Sequence, residues 1–298
     1  MATTRDSIIR LMDARLSEVF YRAWKMHPQV YSQVFNVRST RKRQEEDFHL
    51  AGVGIWPESS EGAPVEYEDL TAGEVVTYIP GVYKRGMQAT REAIDDELYD
   101  VFDEVAADLG DAGAATVEMH AADVLNNGFT VNGYDGVPLF HEEHPLPKGH
   151  TLSNLASGPL TDENLENALL IGRRHTNNAG LKIALRYRNL IVPIDLEFTA
   201  LRLTQSELRP GSEENDINVH RGRYKVIVWD YLTSPTAWFI QDPSAHKLKF
   251  FWRVRPEFKR MTDFDTDIHK WRGYARFVAG YSAPQGIVGS PGTEENGG

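Results

Sequence analysis

The 298-residue chain is 41% hydrophobic and 25% charged, carries a formal net charge of −11, and contains no cysteine. That composition is ordinary for a globular protein and leaves room for one large core or two moderate ones. Without cysteine there are no disulfides, thiolate nucleophiles or cysteine metal sites, and so acidic a body repels phosphate backbones, which argues against a sequence-reading nucleic-acid protein. The first twenty residues, MATTRDSIIRLMDARLSEVF, interleave charged and apolar positions and lack the apolar core of a secretory signal. Apolar runs are short, as in Leu190-Ile191-Val192-Pro193-Ile194, far below the ~20 residues of a membrane span. The expectation is a soluble protein made in the cytosol.

Residues 5–26 read as an amphipathic helix, with Ile8, Ile9, Met12, Leu16, Val19, Phe20 and Ala23 at three- and four-residue spacing. His27-Pro28 ends it, because a residue before proline avoids the helical region. Residues 1–43 hold nine Lys/Arg against Asp6, Asp13 and Glu18, so the rest of the chain is more acidic than the whole. Arg41, Lys42 and Arg43 close this basic stretch.

Residues 48–82 differ in kind. Gly52, Gly54, Pro57, Gly62, Pro64, Gly73, Pro80 and Gly81 punctuate short strand-like pieces, and helical periodicity is absent. The pattern predicts an extended hairpin. Trp56, Tyr67 and Tyr78 lie in it, and a projecting hairpin has little core in which to hide them. Contact with a partner would explain them.

Residues 90–126 predict a long helix. Ile94, Leu98, Val101, Phe102, Val105, Leu109, Ala112, Thr116 and Met119 trace one stripe, while nine acids and no base occupy residues 92–111. Solvated helix faces explain both charge blocks; the alternative is that the basic N-terminus of one copy meets the acidic helix of a neighbour. Gly110 and Gly113 suggest a kink, and Asn126-Asn127-Gly128 a stop. A second helix starts at Thr161, its N-cap bracketed by Leu160 and Leu165, and Asn178-Ala179-Gly180 closes it. Leu190 to Ile194 is a buried strand, Asp195 opens a helix, and Tyr224 to Trp229 and Ala237 to Gln241 are strands. Residues 247–282 read as a long antiparallel hairpin whose aromatic arms flank a polar linker, Arg260 to Asp267. The stretch after Gly286 has the composition of a flexible tail.

A search for chemistry finds none. His141-Glu142-Glu143-His144 with His150 is the best metal candidate, but Pro145 follows at once, and a zinc motif of this kind needs both histidines on one helical face. Gly52-Val53-Gly54 lacks the remainder of a dinucleotide motif, and Asp216-Ile217-Asn218 lacks the glycine and distal glutamate of a calcium loop. Neither G-x-x-x-x-G-K-[ST] nor G-x-S-x-G occurs. Trp229, Trp238, Trp252 and Trp271 fall in predicted strands and belong in a core. No catalytic residue, cofactor or metal ligand is expected, and an enzyme of unknown type is the weakest reading.

The wording around the long helix points elsewhere. RGMQATREAIDDELYDVFDEVAADLGDAGAATVEMHAADVLNNGF, then DGVPLFHEEHPL, LSNLA, LIVPIDLEFTALRLTQSE and NVHRGRYKVIVWDYLTSPTAWFIQD, resembles the Mu-like major head subunits of tailed bacteriophages over about residues 80–245. The resemblance implies an α+β chain with the tailed-phage/herpesvirus major capsid fold. Its parts would be an N-terminal arm (residues 1–47), an extended E-loop (48–82), a peripheral P-domain with a long spine helix (83–135 and 246–286), an axial A-domain (136–245) and a flexible tail (287–298). It implies a structural subunit that builds an icosahedral virion head from hexamers and pentamers in the host cytoplasm. Double-stranded DNA would be enclosed without sequence-specific binding, and no membrane would be involved. Met1 reads as a gene start, so scaffold, portal and any decoration protein would be separate chains. The expected assembly residues are Trp56, Tyr67, Tyr78, Arg41, Lys42 and Arg43. An encapsulin-like compartment shell would share the fold.

Overall fold

A computed structural model describes residues 5–50, 55–56, 58–60, 62, 64–65, 67, 72–95, 99–146, 150–207, 217–262 and 268–293. Its elements are α1 (Arg5–Met26), α2 (Tyr31–Val34), β1 (Asn36–Ser39), β2 (Glu45–Leu50), β3 (Ala72–Tyr78), β4 (Gly81–Ala89), α3 (Arg91–Asp95), α4 (Tyr99–Asn126), β5 (His144–Pro145) and β6 (Thr151–Leu152). They continue with α5 (Asp162–Arg173), β7 (Asn189–Val192), a 3-10 turn (Ile194–Leu196), α6 (Glu197–Gln205), β8 (Lys225–Val228), β9 (Trp238–Gln241), β10 (Leu248–Thr262), β11 (His269–Tyr281) and β12 (Ile287–Ser290). The chain divides into two compact units.

The first unit comprises Met1–Glu45, Tyr78–Ala121 and Phe250–Ala279. Its sheet has the order β1-β10-β11-β4, and β11 runs antiparallel to β4 with Trp271 opposite Met87 and Phe277 opposite Gly81. The predicted hairpin is thus the centre of the sheet. Phe258 of the hairpin stacks on Phe20 of α1 at 4.9 Å, and within the sheet Tyr83 of β4 stacks on Phe277 of β11 at 4.2 Å. The Trp271 indole N–H donates to Asp13 at 3.0 Å.

The N-terminal helix is no separate arm. Met12, Leu16 and Val19 form one buried cluster with Ala106 and Trp271. Two glycines set how closely α1 meets α4. A Cβ on Gly110 would lie 2.4 Å from the Phe20 carbonyl oxygen, and one on Gly113 would lie 2.4 Å from the Trp24 ring. These glycines, expected to mark a kink, are instead the places where one helix admits the other. The acidic face of α4 also finds partners within the chain: Arg15 Nε donates to Asp103 at 2.6 Å, and the His27 ring lies 2.7 Å from Asp111. At Arg15 the N-terminal helix meets the acidic helix within the same subunit.

The second unit comprises Glu46–Thr77, Ala122–Lys249 and Gly280–Gly298. Its sheet has the order β12-β9-β7-β8. β7 is parallel to β8 and antiparallel to β9, and every residue of β7 and β9 is buried. Leu165, Ala168 and Leu169 of α5 and Ala200 and Leu203 of α6 complete the core around Trp238 and Ile240. Thr161 caps α5 by accepting the Asn164 N–H at 3.2 Å, as its place before Asp162 predicts. The helix stops at Arg173, short of Asn178-Ala179-Gly180. Those residues form a separate turn, in which the Asn177 side chain accepts the N–H groups of Ala179 and Leu181, both at 2.9 Å.

One boundary is corrected. Ile287–Ser290, expected to open the flexible tail, is a buried strand paired to β9, with Ile287 opposite Gln241 and Ser290 opposite Trp238. Two apolar residues among Gly, Ser and Pro look like tail, because their pairing partner lies about fifty residues upstream.

This unit also buries neutral histidines. Burial holds His175 and His246 down at about 4. The unfolded chain takes up these protons near pH 6.5, whereas the folded chain resists them until about 4. Stability is therefore expected to fall as pH drops below about 6.5 and to level off below the folded values. Melting temperature measured from pH 7 down to 5, above the carboxylate range, should decline, and His175→Gln with His246→Asn should flatten that slope. An unchanged slope in the double variant would assign the acid sensitivity to other groups.

Candidate assembly surface

Residues 48–82 hold eight of the 21 exposed large hydrophobic side chains described, although they make up a small part of the chain. The ladder β2–β3 forms the base of this segment. Beyond it, Ile55 is 80% exposed, Trp56 87%, Val65 71% and Tyr67 92%. Gly62, at φ +84°, supplies the left-handed turn a side chain would resist. A soluble monomer seldom presents two fully bare aromatics and two bare aliphatics in one short segment, which makes this segment a candidate contact surface. The same stretch is strongly acidic. From Glu45 to Glu74 there are nine Asp/Glu and no Lys or Arg.

Trp56 and Tyr67 therefore stand where the sequence puts them, bare and in the same segment. Tyr78 does not. It is 3% exposed and packs on Phe251 at 5.1 Å, so its ring belongs to the subunit's own core. As the last residue of β3 it follows the strand's alternation inward, a direction composition alone does not reveal. Arg41, Lys42 and Arg43 are all exposed in the turn between β1 and β2. Lys42 lies 3.4 Å from Glu45, and its backbone N–H donates to Thr40 Oγ1 at 3.0 Å.

A second charged feature was not legible in the sequence. Lys84, Arg85, Lys259, Arg260, Lys270 and Arg272 line one groove on the sheet of the first unit. The register places Arg272 beside Gly86 and Lys270 beside Gln88. These cations come from β4 and from the β10–β11 hairpin far downstream, so no local charge run announces them. Arg260 is held 3.1 Å from Asp13, and Lys259 2.6 Å from Glu257.

The histidine motif serves the fold. His144 is fully buried, with Nδ1 2.7 Å from Asp135 and Nε2 3.0 Å from Asn154 Oδ1 and 3.1 Å from the Leu139 carbonyl. Asn154 also receives the His141 N–H at 3.0 Å and donates to Leu139 O at 2.7 Å. Both ring nitrogens of His144 are thus engaged inside the turn-rich segment. Among the described residues no helix is long and apolar enough to cross a membrane.

A sheet with two long strands packed against a long helix, a second α/β unit, and a segment with bare aromatics are the features of a shell-building subunit of the tailed-phage capsid class. Residues 73–290 match the family model described as phage capsid protein. The chain belongs to that family, and it is a structural subunit of a phage head shell. Solved structures of similar fold include the procapsid of bacteriophage JBD30 (18% identity, 98% of this chain and 77% of that one, TM-score 0.54) and the capsid of cyanophage P-SCSP1u (10% identity, 89% and 88%, TM-score 0.59). The virus-like particle from Pyrococcus furiosus is also similar (11% identity, 93% and 98%, TM-score 0.57). No curated protein sequence matches the chain.

Proposed function

We propose that this subunit assembles with copies of itself into hexamers and pentamers of a Mu-like phage head, joined chiefly by the segment 48–82. That head would enclose double-stranded DNA without sequence-specific binding, and it would form in the host cytoplasm with separate scaffold and portal proteins and any decoration protein. The role is mechanical, without catalysis. The boundaries of the E-loop (48–82), P-domain (83–135 and 246–286) and A-domain (136–245) belong to the same proposal. The observation that carries it is the exposure of Ile55, Trp56, Val65 and Tyr67, all described residues of that segment. Charge supports it as well: an acidic segment on one copy and a basic groove on another attract over about 10 Å at 0.1 M salt. Sedimentation of the purified chain tests the reading, with rings or particles expected.

Arg41, Lys42 and Arg43 are proposed to add an exposed basic contact at these junctions. Replacing all three with Gln should lower the salt concentration at which assemblies dissociate, because exposed pairs are screened and each contributes at most about 1 kcal/mol. Light scattering across a salt series checks this. An unchanged midpoint would remove the three cations from the contact. The fold similarity to the Pyrococcus furiosus particle keeps an encapsulin-like compartment as the second reading. Particle contents separate the two, since a phage head fills with DNA and a compartment with cargo enzyme.

A further inference from the structure

Asp162 and Glu166 lie four residues apart on α5, so a single turn brings their carboxylates to one side of the helix. His220 reaches the same place from the segment before β8. One ligand atom from each of the three lies within 4.8 Å of the other two. His220 is fully buried, and neither of its ring nitrogens has a hydrogen-bond partner among the described residues. A buried imidazole left in this state is unfavourable unless something engages it. Its Nε2 is nevertheless 3.3 Å from Asp162 Oδ1.

That separation is informative. A charge-assisted N–H···O bond closes to about 2.7–2.9 Å. Two donors on a tetrahedral ion with bonds of about 2.0–2.1 Å stand about 3.3–3.4 Å apart. Glu166 is exposed, so the side of the cluster it occupies is open to solvent, which can complete a coordination shell. The Tyr224 ring closes another side, 5.9 Å from the imidazole.

We infer that Asp162, Glu166 and His220 form a binding site for a divalent transition-metal ion of the zinc type. One imidazole nitrogen with two carboxylates suits zinc, cobalt or manganese better than calcium or magnesium, which take oxygen donors. The ion fastens α5 to the segment that leads into β8. In a chain without cysteine it does the work of a crosslink, and because an assembled site exists only in the folded state, free metal raises stability. The sequence hid this site. Asp162 and Glu166 read as an ordinary acidic first turn, and His220 stands alone, 54 residues beyond Glu166.

The test is calorimetric titration of the EDTA-treated full chain with zinc chloride, alongside melting temperature with and without zinc. One zinc per chain and a higher melting temperature are expected. Glu166→Gln and His220→Asn should each weaken zinc by about tenfold or more, since losing even a partner of a ligand has that effect. Glu166 is exposed, so its variant should keep the metal-free circular dichroism spectrum and isolate the site even if His220→Asn folds poorly. His141→Asn with His150→Asn should leave zinc binding intact. Absence of binding at millimolar zinc overturns the inference. So does binding that Glu166→Gln leaves unchanged, or binding that disappears in the His141/His150 variant.

Discussion

Replacing residues 53–70 with a short Gly-Ser turn is expected to leave a folded subunit that no longer closes shells. The ladder β2–β3 stays, and Tyr78 keeps its place against Phe251, so the subunit's own core is untouched. What is removed is the part bearing Ile55, Trp56, Val65 and Tyr67, all more than 70% exposed. Burying one large aromatic against a neighbour is worth about 2–3 kcal/mol. The loss recurs at every junction of the particle, so a modest deficit per contact prevents closure. Helical circular dichroism and melting temperature should match the intact chain, while sedimentation should show only small species. A variant that unfolds would place the segment in the subunit's own core. A variant that still forms shells would show that other surfaces join the subunits.

Gly110→Ala is expected to destabilise the first unit, against the usual direction for glycine in a helix. Helix propensity alone favours alanine by about 1 kcal/mol. Here the added methyl would lie 2.4 Å from the Phe20 carbonyl oxygen and 3.2 Å from Ala23 Cβ. A backbone oxygen cannot rotate aside like a side chain, so α1 must move away from α4. Overpacking of this kind costs about 1–3 kcal/mol, which outweighs the propensity gain. Gly110→Leu should cost more, and the urea midpoint should fall in the order glycine, alanine, leucine. A higher midpoint for Gly110→Ala would mean that the two helices are not in contact there.

These glycines also show where sequence reasoning stops. Periodicity placed α1, the long helix, three strands of the second sheet (β7, β8 and β9) and the hairpin at the centre of the first, because each carries its burial pattern locally. The Thr161 cap was equally local, and so was the burial of Trp229, Trp238, Trp252 and Trp271, all at most 3% exposed. Features set by distant partners were misread. Gly110 looked like a weak point because its neighbour Phe20 is ninety residues away, and β12 looked like a tail because β9 is needed to make it a strand. The candidate surface divides the same way. Trp56 and Tyr67 could be assigned from a segment too rich in glycine and proline to bury them, whereas Tyr78 turned inward at the end of its strand. The basic groove and the Asp162–Glu166–His220 cluster had no local signature, since each is assembled from separate elements.

The claim that this chain builds a shell by self-assembly is tested most directly by electron cryomicroscopy of the purified full-length protein over a range of salt concentrations. The account predicts five- and six-membered rings or closed particles, with density from one copy's segment 48–82 lying on the next copy. A monodisperse monomer at micromolar concentration under every condition would contradict it.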